Sequence, residues 1–192
     1  MSEFKTIADN LSHLHRWVFG WLASLSAVLL LSACAMHSND LVPDQDKVGA
    51  PVTAVGHYGS MIGIPEYSID NFHAGNNSGW GGGGSTSCCV LLPRTVTKPI
   101  FVTVRWQTYR SNVDEEREHE ATVPIHFAVQ PGDSSGLYVH FLPGHKVEVW
   151  VSWPGPGSTK YPGPKHPSGP PHPYTPLPNE KPMPSIDTNM NH

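Results

Sequence analysis

Between Pro51 and Trp153 the chain is organised by alternation of apolar and polar side chains with a period of two. Ile100, Val102, Val104 and Trp106 alternate with Phe101, Thr103, Arg105 and Gln107, the pattern of a strand buried on one face. Val123, Ile125, Phe127 and Val129 form a second run, and Pro124 inside it predicts an edge strand, because proline donates no ladder hydrogen bond. Leu137, Val139 and Phe141 form a third run; Val147, Val149, Val151 and Trp153 form a fourth. Pro143-Gly144 and Pro131-Gly132-Asp133 supply turns between them. Val52–Val55 and Cys88–Leu92 are shorter candidates, and Tyr67–Phe72 is less regular. No stretch beyond the leader has helical periodicity. The pattern predicts an all-β fold over residues 51–153, a single antiparallel β-sandwich or small barrel of six to seven strands.

The amino-terminal region follows another logic. Trp17–Leu31 carries no charge, Lys5 and Arg16 precede it, and Leu31-Ser32-Ala33-Cys34 closes it. A short apolar run behind a basic flank and before small residues reads as a secretory signal peptide. It falls short of the roughly 20 residues that span a bilayer. Because it ends on Cys, it resembles the lipobox of bacterial lipoproteins. That resemblance implies removal of residues 1–33, a diacylglyceryl thioether on Cys34 and acylation, typically by palmitate, of the new amino terminus. Acyl chains contribute about 0.8 kcal/mol per buried methylene, so such an anchor to the membrane is effectively permanent. Ala35 stands where an inner-membrane retention signal would place Asp, so the expected location is the outer membrane, facing the periplasm. Residues 34–50 are polar and aperiodic and read as a lipidated tether.

Composition narrows the function classes. A formal net charge of −4 with scattered signs gives no basic footprint for nucleic acid. With Cys34 consumed by lipid, Cys88 and Cys89 remain; in an oxidising compartment they stay reduced, pair across chains or close a vicinal disulfide. Past Trp153, prolines at 154, 156, 162, 164, 167, 170, 171, 173, 176, 178, 182 and 184 forbid regular helix and sheet. Residues 154–192 therefore read as a disordered, extended polyproline-II tail.

Candidate chemistry is sparse. The glycine-rich segment Gly75–Ser87, around Trp80, lacks the Lys-Ser/Thr ending of a phosphate-binding loop and reads as a flexible hairpin loop. Trp80 on such a loop is a candidate partner anchor. The segment Arg110–Glu120 reads as a solvated loop or as a charged finger that meets a basic surface, with Asp114, Glu115, Glu116 and Arg117 as its contact residues. The histidines of the exported part show no helical i, i+4 pair and no tight His-x-His, so neither metal nor other cofactor is expected; His126 and His140 would face each other if their strands paired. The strand–turn–helix with Gly-x-Ser-x-Gly is missing and Ser85 sits on the glycine loop, so no enzyme and no small-molecule substrate is expected.

Several pieces carry a resemblance. Val55-Gly56-His57-Tyr58 precedes Gly81–Gly84, then come Cys88-Cys89-Val90-Leu91-Leu92-Pro93, Phe101–Trp106 and Val139-His140-Phe141-Leu142-Pro143. Together they resemble a family of Gram-negative lipoproteins, domain-of-unknown-function family 3304, over about residues 51–155. Where this chain has Gly56-His57-Tyr58, the family more often shows Gly-Tyr-Asn-His, which leaves His57 without a family role. Genes of the family lie beside those of type VI secretion phospholipase effectors. The resemblance therefore implies an immunity protein, a binding and inhibitory module that meets the incoming lipase in the periplasm. The alternative from the residues alone is a structural envelope lipoprotein whose Pro-rich spacer reaches the cell wall.

Overall fold

The computed structural model of the chain describes residues 44–82, 86–130, 132–133 and 135–184. The signal peptide, Cys34, most of the tether and Ser85 lie outside the described residues. Nine strands follow in order: β1 (Lys47–His57), β2 (Gly63–Ile69), β3 (Phe72–Ser78), β4 (Trp80–Gly82), β5 (Ser87–Pro93), β6 (Phe101–Arg110), β7 (Glu115–Phe127), β8 (Gly136–Leu142) and β9 (Lys146–Ser152). None of the described residues is helical, and no helix among them is long and apolar enough to cross a membrane.

The four alternating runs become β6 to β9 with their apolar sets turned inward, except that Trp153 falls beyond β9 and is 75% exposed. Three differences from the expectation have physical reasons. Tyr67–Phe72 is not one strand but the turn of a hairpin, with Ile69 paired to Phe72 and Asp70 at φ 51°. Arg110–Glu120 is not a loop, because β6 and β7 pair residue for residue from Phe101↔Pro124 to Arg110↔Glu115. The tether is shorter than expected, since β1 already begins at Lys47, which pairs with Pro93 of β5.

The strands form one nine-stranded sheet in the order β3-β2-β6-β7-β9-β8-β1-β4, with β5 on β1. It is a barrel-like sheet, nearly closed, and not wholly antiparallel: β1 runs parallel to β8, and β7 parallel to β9. Pro124 is not on an edge. It sits where β7 leaves β6 for β9, whose pairing begins at Ile125↔Val149, so the missing N–H falls at the change of partner. Asn77 Nδ2 of β3 donates to Ala54 O of β1 at 3.0 Å, and Tyr58 N donates to Gly79 O at 2.8 Å. These bonds draw β3 onto β1 and close the wall. Glycine is required along this seam: a Cβ on Gly56 would stand 2.7 Å from the Gly79 carbonyl carbon and 2.8 Å from Asn77 Oδ1.

Val52, Ala54, Ile64, Tyr67, Ile69, Val104, Trp106, Leu137, Val139, Phe141, Val149 and Val151 fill the barrel. Tyr67 meets Phe141 edge to face with ring centres 5.4 Å apart, a favoured aromatic geometry.

Residues 154–184 have no helix and no strand, as their prolines dictate, yet they are not unpacked chain. They form a strap across the outer face of β1, β8 and β9 and then over one end of the barrel. Pro156 is buried, Tyr161 is 1% exposed and Tyr174 is 5% exposed. Ser60 N donates to His172 O at 2.8 Å, and Trp80 Nε1 donates to Gly169 O at 3.1 Å. An extended polyproline segment keeps its carbonyls unpaired; here the barrel binds several of them.

Candidate functional site

Three places on the barrel gather chemistry-bearing side chains. The first lies under the strap. His57 from β1 and His140 from β8 project from the outer face, and their Nε2 and Nδ1 atoms stand 3.0 Å apart. The other nitrogen of His140 is 2.6 Å from Tyr161 Oη. His140 is fully buried, and burial, reinforced by His57 and His166, pushes its pKa down to about 3. Burial and His166 also lower that of His57, against the opposing pull of Glu148. Both rings are therefore neutral at pH 7, with one N–H shared between them.

The second is the barrel end closed by Tyr174. Trp106 Nε1 donates to Tyr58 Oη at 3.1 Å, Tyr58 Oη meets His145 Nδ1 at 3.3 Å, and His145 Nε2 meets Glu180 at 2.6 Å. Tyr174 donates to the same carboxylate at 2.8 Å, and Leu177 N adds another bond at 2.8 Å. Burial alone would raise the Glu180 pKa, but the bonds from His145, Leu177 and Tyr174 hold it below the usual carboxylate range. His119 stacks against His145, with centres 3.9 Å apart, and against Trp106 at 5.1 Å. Burial, then His145, drives His119 to about 4. Beside this network Glu115 binds Arg110 at 2.6 Å, Arg117 at 2.8 Å and Lys181 N at 3.1 Å. A triad-like order of acid, imidazole and hydroxyl exists here, but Tyr58 is 2% exposed and the Glu180 side chain 1%. Its groups bond one another and hold the strap.

The third is open. On the outer face of β2, β3, β6 and β7, Glu66, Ser68, His73, Arg105, Gln107, Glu118 and Glu120 line a cleft of about 440 Å³. Arg105 pairs with Glu120 at 2.7 Å. Among the described residues Glu66, Glu116 and Glu118 form no ion pair. The face is thus strongly acidic.

The expected contact residues divide between these places. Strand alternation turns Glu115 and Arg117 inward, into the Arg110 network, and leaves Asp114 and Glu116 exposed. Trp80 is not a free anchor, since it holds the strap through Gly169 and meets His172 edge to face at 4.7 Å. His126 and His140 do not face each other, because β9 lies between their strands; His126 stacks on Trp150 at 4.6 Å. Ser87 donates to Ala74 O at 2.8 Å. Cys88 and Cys89 are bonded to each other across a cis peptide. Among the described residues no three His, Cys, Asp or Glu side chains stand around a common metal position. The sequence reading missed Tyr161, His166, Tyr174 and Glu180. The usable signal was that Tyr161 and Tyr174 are the only tyrosines in a tail that has no Phe or Trp and is dominated by proline.

No curated protein and no solved structure matches the chain. One family model matches, described as "Protein of unknown function (DUF3304)", and it covers residues 59–149. The match begins just after β1, runs to the middle of β9 and stops before the strap. It is the family that the Cys-Cys-Val-Leu-Leu-Pro and Val-His-Phe-Leu-Pro pieces resemble, and over residues 59–149 the chain is similar to it.

Proposed function

We propose that the chain is a lipid-anchored periplasmic binding module of the outer membrane, and that it inhibits a secreted phospholipase by docking the lipase on its open acidic face. The observation that carries this reading is the asymmetry of the barrel surface. One outer face is covered by the strap; the other presents a cleft of about 440 Å³ bearing Glu66, Glu118 and Glu120, with Glu116 and Asp114 exposed beyond it. A rigid wall with exposed carboxylates at fixed register suits capture of a basic protein surface, because charge complementarity steers encounter and rejects wrong partners. The gene neighbourhood of the family is what suggests a lipase as that partner, an associational argument. The spacer alternative drew on a free tail; with residues 154–184 docked on the barrel it loses most of the reach it relied on.

The test is co-expression. A periplasm-targeted phospholipase encoded beside such a lipoprotein gene should kill cells lacking this chain and spare cells making it, and the purified pair should associate. Equal killing in both cultures, or no association at low salt, overturns the proposal.

A further inference from the structure

The outer face of β1, β8 and β9 carries His57, His140 and Glu148, and the strap lays His166 near it without joining the other two around a common metal position. His57 ends β1. His140 and Glu148 are register partners on β8 and β9. His166 arrives on the strap, its Nε2 2.7 Å from Gly82 N, above the glycines that pair with Val55 and Gly56 just ahead of His57. We propose that His57 Nε2 and His140 Nδ1 are the preformed half of a binding site for a borderline divalent transition metal such as Zn²⁺ or Cu²⁺, completed from the strap by His166. This inference does not rest on the docking face described above.

The donor geometry is close to what such an ion requires. Two nitrogens bound at about 2.0–2.1 Å with a tetrahedral angle lie about 3.4 Å apart. The observed 3.0 Å needs an opening of only a few tenths of an ångström, and half-buried His57 is the ring free to make it. His140 is aimed by an outer partner, since Tyr161 Oη holds its Nε2 at 2.6 Å. A ligating histidine is usually oriented through its second nitrogen in this way. The strap histidine is in the right tautomer as well. His166 Nδ1 donates to Pro167 O at 2.8 Å, which leaves the Nε2 lone pair available. At present that lone pair accepts Gly82 N–H, and Gly82 is exposed, so water replaces the bond when the ring swings away. Imidazole nitrogen donors suit zinc and copper.

The proton balance is simple. Neutral His57 and His140 share one N–H along the line between them. Coordination needs a lone pair on each of these two nitrogens, turned toward an ion off that line, so the two rings rotate slightly and the donor ring moves its proton to its other nitrogen. On His140 that nitrogen then donates to Tyr161 Oη. At neutral pH the histidine pair releases no net proton to solvent. Because His166 belongs to the strap and His57 and His140 to the barrel, the bound ion also pins the strap.

The full mature chain, solubilised in detergent, is titrated calorimetrically with Zn²⁺ and, in parallel, with Cu²⁺ followed by electron paramagnetic resonance. One equivalent binds, with nitrogen couplings from three imidazoles. His57→Ala weakens binding by about tenfold or more, and Tyr161→Phe by roughly 10- to 100-fold, the usual effect of losing an orienting partner. His166→Ala leaves two nitrogen couplings. His126→Ala, which sits outside the cluster on the face of Trp150, binds as the parent does. Wild-type affinity in His57→Ala, or no saturable binding by the parent chain, overturns the proposal. As a readout independent of variant folding, Zn²⁺ slows protease cleavage within residues 154–169 of the unaltered chain; an unchanged cleavage rate also counts against the site.

Discussion

The Glu115 carboxylate takes the Arg110 guanidinium at 2.6 Å, with the two side chains 7% and 2% exposed. A run of alternating charges thus hides one member of its acidic set inside the barrel end. The same carboxylate accepts from Arg117 and from Lys181 N, so it ties β6, β7 and the strap together. Burial alone would raise its pKa; Arg117, Lys181 N and Arg110 bring it below the ordinary value. Removing one partner of a buried pair leaves an uncompensated charge, at a cost of about 3 kcal/mol at the lower end of such measurements. Glu115→Gln is therefore expected to lower stability by about that amount in urea unfolding. Glu116→Gln, on the solvent side of the same strand, should stay within about 0.5 kcal/mol of the parent. Equal effects of the two would show that Glu115 does not bind the strap.

The strap's first anchor gives a second prediction. Tyr161 packs beside Tyr138, His140 and Trp150, and Gly163 lies against its ring. Tyr161→Ala should cost about 3–5 kcal/mol, as for a buried aromatic truncated to alanine. Tyr161→Phe keeps the packing but removes the hydroxyl partner of His140 Nε2, which costs about 1–3 kcal/mol. Denaturant titration of both variants checks the order. A phenylalanine variant as unstable as the alanine one would mean that the hydrogen bond, and not ring packing, holds the strap.

These contacts also mark what was legible in the amino-acid sequence. The strands β6 to β9 were readable because each buries one face, so Val102, Val104 and Trp106 repeat at the period of the pleat. The acidic stretch was not, because in a barrel end the inward face itself is charged: Glu115 and Arg117 alternate with Glu116 and Glu118 as an apolar strand would, but with no apolar residue to announce it. The tail was misread for a similar reason. Proline excludes regular structure, but it does not exclude packing when tyrosines enter pockets and carbonyls find donors. The pairing of His57 with His140 needed the parallel β1–β8 register, Val55↔His140, which no local pattern encodes. One consequence is practical. Deleting residues 154–192 does not separate a spacer role from a binding role, since it also uncovers Tyr138, His140 and Trp150.

Acid should destabilise the fold in two windows. His140 and His119 are held at about 3 and about 4, below the ordinary value of about 6.5. Below pH 6.5 the unfolded chain binds protons that the folded chain refuses, so their contribution is complete above that pH and declines as pH falls toward 4. Glu115 and Glu180 have lowered values, so their contribution is present above the ordinary carboxylate value and is lost as pH falls below it. Stability measured from pH 7.5 to 3.5 should therefore begin to fall near pH 6.5, before any carboxylate titrates. His119→Gln should flatten the upper part of the curve by about one proton's worth of slope. A flat profile between pH 7 and 5 would rule out buried neutral histidines.

The last prediction separates the two outer faces. Glu66 and Glu118 line the open cleft, are exposed and form no ion pair among the described residues. Reversal of exposed, unpaired charges typically leaves stability within about 0.5 kcal/mol, so Glu66→Lys with Glu118→Lys should fold as the parent does. If this face meets a basic partner, the double variant lowers the association rate in stopped-flow mixing, and the deficit shrinks as salt rises, because rim charges act mainly on encounter. Dissociation should change much less. His126→Glu on β7, beside the strap-covered face, should leave association unchanged. A double reversal that associates at the parental rate at low salt would move the contact off this cleft, leaving the exposed pair Asp114 and Glu116 at the hairpin tip as the acidic surface to test next.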